Sequence, residues 1–420
     1  MKKWIRFACA GAVLAGMLTA SALAADFTAS AEHLSELGLF RGSEQGYELD
    51  RAPTRGEAAA MLVRLLGAED EAQAMAYTAP FTDLADWQKP YVQYLYEGRL
   101  TNGASATAFE PEGECTAQMY AAFLLRALGY TEAAGDFTYA QAVSAAQEYG
   151  VYDPAVVDTA DFLRDDVAAA SYTALSLTPK GAEGTLLDRL VADGAVNAQA
   201  AARYQELFDT YAEYRADTAG MDALTAFSIR SEYLGGVGFR RGGADGETVL
   251  SMQTQEAMTF DRAAGTMQAN RVLTLSAPGV EDTTVIAESE LADGVMRRRL
   301  GGDWSEQPVS MAEQARLLAA YGPVPLAYIG RIDKGDHADY PYDSRWTISF
   351  DSLPALYGEL MWPVESTAGS LDGAEFHALM LVQNVKDNRI MTQGLTVEFT
   401  TQDGIYGQPV LVSRLDPESE

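Results

Sequence analysis

The sequence predicts a multidomain protein in which an all-α, three-repeat helical bundle is followed by an α+β domain with a curved antiparallel sheet. Three observations predict it. A helix–turn–loop–helix pattern recurs three times over roughly residues 26–178. A Pro/Gly break, "PKGAEGT", follows Thr178. From about Ala223 the apolar period changes from helical to two. The expected division is a signal peptide over 1–24, the repeats over 25–180, a helical connector over 181–220 and the sheet domain over 221–420.

The first segment reads as a leader. Lys2, Lys3 and Arg6 precede an apolar run from Phe7 to Leu18, and Ala22-Leu23-Ala24 offers a cleavage site. Export is therefore expected. Cys9 comes too early in that run to be a lipid-attachment cysteine, and Cys115 alone then remains, so no internal disulfide framework is expected. This fits a bacterial envelope. The full chain has 60 acids and 30 bases, a net charge of −30, and loss of the three leader bases takes it to −33. Such a surface repels nucleic acid and anionic lipid. An anionic partner would have to be held by local arginines, which is feasible because charges beyond ~8 Å are largely screened at physiological salt. No later apolar run reaches the ~18 residues that span a bilayer, so no transmembrane segment is expected in the mature chain.

The repeats begin with "APTRGEAAAMLVRLLG", Ala52 to Gly67. Thr54 and Glu57 form a capping box, Pro53 fixes the entry, and Gly67 ends the helix. Ala58, Met61, Leu62, Leu65 and Leu66 form one apolar stripe. Arg55 has no part in this local scheme. Its side chain leaves the first turn beside helix-terminal N–H groups, where anions are favoured. "TAQMYAAFLLRALG" (Thr116–Gly129) repeats Thr54, Leu62, Arg64, Leu66 and Gly67 as Thr116, Leu124, Arg126, Leu128 and Gly129. "LRDDVAAASYTAL", from Leu163, repeats Arg55, Glu57 and Leu66 as Arg164, Asp166 and Leu175. Each copy is preceded by a shorter helical stretch closed by a turn, at Gly42, Gly103 and Asp153. One copy cannot bury its own apolar face, whereas three can pack together.

At these residues the chain resembles the S-layer homology repeat family, whose pattern is F-x-D-x-x-x-x-W, a helix, a Gly turn, F-x-P and T-R-A-E. Copy two has the best opening, with Phe81, Asp83, Trp87, Gly98, Gly103 and Phe109-Glu110-Pro111. Copy one has the best helix start, Thr54-Arg55-Gly56-Glu57, and copy three keeps Phe137, Gly150, Arg164 and Asp166. The resemblance covers under half the chain. It implies non-covalent docking on an anionic secondary cell-wall polysaccharide or peptidoglycan-linked glycan. Arg55 and Arg164 would clamp the acidic sugar, a task suited to a planar guanidinium. Trp87 and Asp83 would support them, and Glu57 and Asp166 would stand beside them in the helix starts. Trp87 either stacks on a sugar or packs. Copy two departs from the pattern, with Ala117 in place of the arginine and Met119 in place of the acid. Copy one lacks the tryptophan, and copy three has Leu163 as its cap. Arg64 and Arg126 fall a turn later and are expected to cover the helix surface. At most two grooves keep the motif arginine, so the unit either binds weakly or serves as scaffold.

The connector carries two stripes, Leu186/Leu187/Leu190/Val191 and Tyr204/Leu207/Phe208/Tyr211/Tyr214, read as packing faces. Beyond it, long strands are expected over 225–235, 247–261, 266–279 and 283–304, with turns at Asp293-Gly294 and Gly301-Gly302. A helix follows over 311–321, then "WTISF" (346–350), a helix over 353–361, and strands near 374–386, 389–400 and 408–414 with a turn at Lys386-Asp387-Asn388. The element order and the Asp293-Gly294 to Trp304 hairpin resemble the half-barrel of bacterial lipoprotein-carrier and envelope lipid-binding proteins. That resemblance implies a concave face able to hold an acyl chain or peptide. A closed core is the plainer alternative, and the one preferred.

Nothing in the chain assembles a catalytic motif, so no enzyme and no cofactor are expected. The mature histidines are His33 (expected exposed), His337 and His377. No nucleophile elbow, H-E-x-x-H or phosphate loop is present. Cys115 is best explained by packing. Asp333, Asp336, Asp339 and Asp343 lack EF-hand spacing, and the loop is read as solvated with no metal. Arg297 and Arg299 share one strand face and Arg298 the other, each expected to pair with nearby acids.

Overall fold

The computed structural model describes residues 26–300, 302–335, 341–369, 371 and 373–416. The leader reading lies outside them, as do His337, Asp336, Asp339 and Gly301. The described chain forms two compact units, Asp26–Asp209 with Pro325–Ala327, and Thr210–Val324 with the chain from Tyr328 onward. The stretch read as a connector is thus shared between them.

The first unit is helical, with α1 (Thr28–Glu36), α2 (Arg55–Leu65), α3 (Glu69–Ala74), α4 (Lys89–Glu97), α5 (Ala117–Ala127), α6 (Ala142–Glu148), α7 (Arg164–Leu175), α8 (Leu186–Ala192) and the start of α9 (Ala198–Asp217). The local signals hold. Thr54 Oγ1 accepts from Glu57 N at 3.2 Å and Glu57 Oε2 accepts from Thr54 N at 2.9 Å, a capping box worth about 1 kcal/mol. Thr116 caps α5 with its hydroxyl alone, accepting from Met119 N. In α7 the Leu163 side chain offers no acceptor, and Asp166 supplies the surviving half of the box by accepting from Leu163 N at 2.8 Å.

The packing differs from a stripe on a surface helix. Ala58 to Val63 are all buried, because α2, α5 and α7 each touch the other two and leave little of their circumference free. Their alanines make that close approach possible. The shorter opening helices pack most closely outside their own copy. α4 lies on α2, α6 on α5, and α1 on α7, so each opening helix covers the capped helix of the copy before it, and α1 closes the cycle. Gly103, at φ +71°, lets the turn of copy two press against Phe81, where a Cβ would lie 2.3 Å from the ring.

The second unit is α+β. Its strands are β1 (Ala226–Tyr233), β2 (Val237–Arg241), β3 (Glu247–Asp261), β4 (Thr266–Ser276), β5 (Thr283–Ala292), β6 (Val295–Leu300), β7 (Ser305–Pro308), β8 (Arg331–Gly335), β9 (Ser344–Ser349), β10 (Glu375–Lys386), β11 (Arg389–Thr400), β12 (Ile405–Gly407) and β13 (Val410–Leu415). All pairings are antiparallel, in the order β7-β6-β5-β4-β3-β1-β13-β11-β10-β9-β8. β2 and β12 pair with each other and link β3 to β11. Two of the predicted turns are real hairpins, with positive φ at Asp293 and Gly294 and at Asp387 and Asn388. Four short strands, β2, β7, β8 and β12, have no counterpart in the sequence reading. Glycines flank β2 and β12, and so few residues leave too few alternations to register.

Burial alternates along β3 and β4, so the sheet has one covered face and one open face. Two helices lie on the covered face, α10 (Met311–Ala319) and α11 (Gly358–Ala368). Gln314 Nε2 donates to Gly265 O at 2.8 Å, and Tyr233 OH donates to Leu360 O at 2.7 Å. α11 corrects the expected helix over 353–361, a range that stops ahead of Pro363. The helix runs through Pro363, whose missing N–H leaves the Glu359 carbonyl without its intrahelical donor. Arg271 Nη2 supplies one from β4 at 3.3 Å.

Candidate anion-binding groove

The N-terminus of α2 docks on the loop of the next copy. Arg55 N donates to Gly113 O at 2.8 Å and Gly56 N to Pro111 O at 2.9 Å, while Cys115 N donates back to Pro53 O. The terminal N–H groups expected to favour an anion at Arg55 are therefore occupied by carbonyls, and the guanidinium is left as the groove's anion donor. At Gly56 a Cβ would lie 2.8 Å from Gln88 Nε2, so any larger residue there requires that buried amide to shift.

Arg55 is 6% exposed. Its Nε donates to Phe109 O at 2.8 Å, its Nη1 points at Met119 Sδ at 3.2 Å, and its guanidinium lies 4.8 Å from the Phe109 ring centroid. Among the described residues no carboxylate lies within salt-bridge distance of it. Asp83 acts from farther off. Its carboxylate accepts from Phe109 N at 2.9 Å and Glu110 N at 2.8 Å, and so fixes the peptide whose carbonyl holds Arg55. Burial would raise the Asp83 carboxyl, but those N–H groups and the Arg55 charge hold it below its ordinary value. Asp83→Ala is expected to lower the melting temperature of the helical unit by the equivalent of about 1–3 kcal/mol, leaving two backbone donors without partners. An unchanged thermal transition would show that water replaces the carboxylate.

Arg164 occupies the equivalent place between copies three and one. Arg164 N donates to Arg51 O and Asp165 N to Leu49 O, and Arg164 Nε donates to Tyr47 O at 2.9 Å. It is 5% exposed. The two grooves differ in charge. Glu57 Oε1 lies 3.8 Å from Arg164 Nη1, and Arg51 holds Glu57 at 2.6 Å and Glu48 at 3.1 Å. Two arginines and two glutamates neutralise one another there. Copy two presents Met119 at the position of Glu57, so the Arg55 groove lacks that acid. Neither Arg51 nor Met119 stands out as a site residue in the sequence, where the loss of the capping acid reads only as decay.

The third groove has no arginine, and Tyr152 OH donates to Ala117 O within it at 3.0 Å. Asp166 is buried and accepts from Asp158 N and Leu163 N, which makes it a loop tie. Trp87 is 50% exposed, its ring steeply inclined to that of Tyr91, so it is not a core aromatic. Arg64 and Arg126 do more than cover a surface. Arg64 bonds Glu69 and the Tyr91 hydroxyl, and Arg126 bonds Leu100 O and Glu132. Cys115 is fully buried, and burial pushes its thiol up to about 12. His33 is half-buried against the Tyr172 and Tyr204 rings rather than exposed. His377 Nε2 meets Thr400 Oγ1 on β11.

The sheet unit holds a second concentration of charge. Arg271 on β4, 1% exposed, contacts Glu256 on β3 and Glu359 Oε1 on α11, the latter at 2.9 Å. Arg298 on β6 reaches Glu359 Oε2 at 2.8 Å, and both guanidiniums lie over the Trp362 ring. Arg297 pairs with Glu306 and Arg299 with Glu288, as the alternation of that basic run predicts.

No family model matches the chain. A middle cell wall protein of Brevibacillus brevis is 30% identical over 119 residues, 28% of this chain and 11% of that protein. A surface layer protein of Brevibacillus choshinensis is 29% identical over 115 residues, 27% of this chain and 10% of that protein. The chain thus spans about a tenth of the length of these curated relatives. A crystal structure of a beta-barrel-like protein of a domain of unknown function from Brucella abortus aligns over 46% of this chain and 98% of its own, at 9% identity and a TM-score of 0.20, a likeness that carries no argument. Over about a quarter of its length the chain is similar to cell-wall and surface-layer proteins.

Proposed function

We propose that the helical unit is a triplet of S-layer homology-like repeats that anchors an exported protein to an anionic wall glycan, with the sheet unit displayed as its cargo. The activity is binding and not catalysis. One observation carries the reading: Arg55 is a buried guanidinium, held in place by a carbonyl and a thioether, with no carboxylate partner among the described residues. A charge fixed this way is already desolvated and oriented, so a carboxylate from outside meets a pre-set guanidinium donor that has no carboxylate of its own to give up. Arg164 contributes less, because Glu57 already opposes it. The similarity to cell-wall and surface-layer proteins supports the same reading. The alternative, a lipid or peptide carrier, would have to place its ligand on the covered sheet face, where α11, Trp362 and the buried Arg271 ion cluster already lie.

The test is co-sedimentation of the mature chain with purified sacculi, intact or stripped of secondary polymer. Wild type is expected to pellet only with intact sacculi. Arg55→Ala is expected to weaken this about tenfold or more, and Met119→Glu to do the same by supplying the groove with its own anion, while Arg164→Ala costs less. Equal pelleting with stripped sacculi would sink the proposal.

A further inference from the structure

Copy three opens with Phe137-Thr138-Tyr139, where copy two has Phe81-Thr82-Asp83. The acid that ties down the copy-two loop is thus an aromatic in copy three. Tyr139 does not pack into the core. It is 44% exposed, one of few large apolar side chains of the helical unit to be so. Its backbone is fixed beside the Arg55 groove. Residues Tyr139–Gln141 form a 3-10 turn packed on α5, and Gln118 Nε2, in the first turn of α5, donates to Tyr139 O at 2.8 Å. The next residue of that turn, Met119, is the one Arg55 Nη1 touches. Burial raises the Tyr139 hydroxyl, and the Arg55 charge is felt there as an opposing pull.

We infer that Tyr139 is a stacking wall of the Arg55 groove, a specificity residue that adds to the arginine clamp a second contact with the sugar, an apolar ring face lying on the tyrosine. This rests on the anchoring reading above and adds to that site a residue that selects its ligand. A guanidinium alone accepts any small anion, whereas an aromatic beside it selects an anion attached to a flat, C–H-rich body. The pairing also explains how one charged groove can serve on a strongly acidic protein, since part of the affinity then does not depend on charge.

The test uses the mature full-length chain and the same two sacculus preparations. Tyr139→Ala is expected to weaken polymer-dependent binding about tenfold and to leave its salt dependence unchanged, whereas Arg55→Ala removes most of both. Tyr139→Phe keeps the ring and is expected to bind within about twofold of wild type, and Tyr139→Leu keeps only bulk and is expected to follow the alanine variant. Because the side chain is exposed, all three should melt with wild type. Unaltered binding by Tyr139→Ala, with Arg55→Ala still defective, overturns the role of Tyr139 and leaves the anchor standing. Unaltered binding by Arg55→Ala overturns the anchoring groove itself.

Discussion

Arg271→Met is expected to destabilise the sheet unit by about 3–5 kcal/mol, a large share of the stability of an ordinary domain. Arg271 stands between two carboxylates on different elements, Glu256 on β3 and Glu359 on α11, and none of the three is more than 6% exposed. Removing the cation leaves Glu256 buried and unpaired and leaves Glu359 with Arg298 alone. It also takes a donor from the Glu359 carbonyl that Pro363 has already deprived of its helical partner. Methionine fills similar volume, so the loss is electrostatic and not a cavity. The measurement is urea unfolding followed by tryptophan fluorescence, to which Trp362 over the Arg271 guanidinium and the buried Trp346 respond. The sheet-unit transition should move to lower urea while the helical unit's far-UV signal melts as before. A triple variant that adds Glu256→Gln and Glu359→Gln should recover part of the loss, since no unpaired carboxylate then remains inside. If Arg271→Met unfolds with wild type, the ion cluster does not hold α11 to the sheet.

This cluster shows what a sequence leaves illegible. Thr54 and Glu57, or Asp387 and Asn388, announce themselves because the interacting groups lie within three residues and the backbone geometry is local. The strand alternation of β3 and β4 is legible for the same reason, and it places Glu256 and Arg271 on the covered face. Read alone, two charged residues at inward positions argue against those strands. Only the register, which sets Glu256 directly opposite Arg271, makes them a pair, and only the return of α11 from far along the chain completes it. The grooves of the helical unit are half legible. The family resemblance points to Arg55 and Arg164, but their difference depends on which side chain of another copy faces each one. Met119 reads as a lost cap in its own helix and acts as the uncharged neighbour of Arg55. Tyr139 reads as a degenerate motif position and lies beside that groove.

The same cluster makes the sheet unit's stability depend on pH in opposite senses on either side of about pH 4.5. Burial raises the Glu256 carboxyl, Arg271 pulls it back and Glu359 raises it again, leaving it at about 7 against an ordinary 4.5. A raised folded-state value means the native state holds a proton the unfolded chain has released, so this contribution is present below 4.5 and is lost as pH rises through 7. Glu359 runs the other way. Burial would raise it, but Arg298 and Arg271 outweigh burial and hold it at about 2. Its contribution is present above 4.5 and is lost as pH falls towards 2. Each limb spans about 3 kcal/mol at most. Glu256→Gln fixes the first group in its neutral form. It is expected to flatten the loss between pH 4.5 and 7, and to make the variant more stable than wild type at pH 8 by about 1–3 kcal/mol. Glu359→Gln should instead remove the acid limb and destabilise the unit at every pH above it, because Arg298 and Arg271 lose their shared anion. Urea midpoints of wild type and both variants from pH 3 to 8 separate the two groups, since every other carboxylate cancels in the difference. A Glu256→Gln midpoint that tracks wild type across pH 5–8 would mean Glu256 is ionised throughout, and the cluster would then be two full ion pairs instead of one carboxylate shared by two arginines beside a neutral acid.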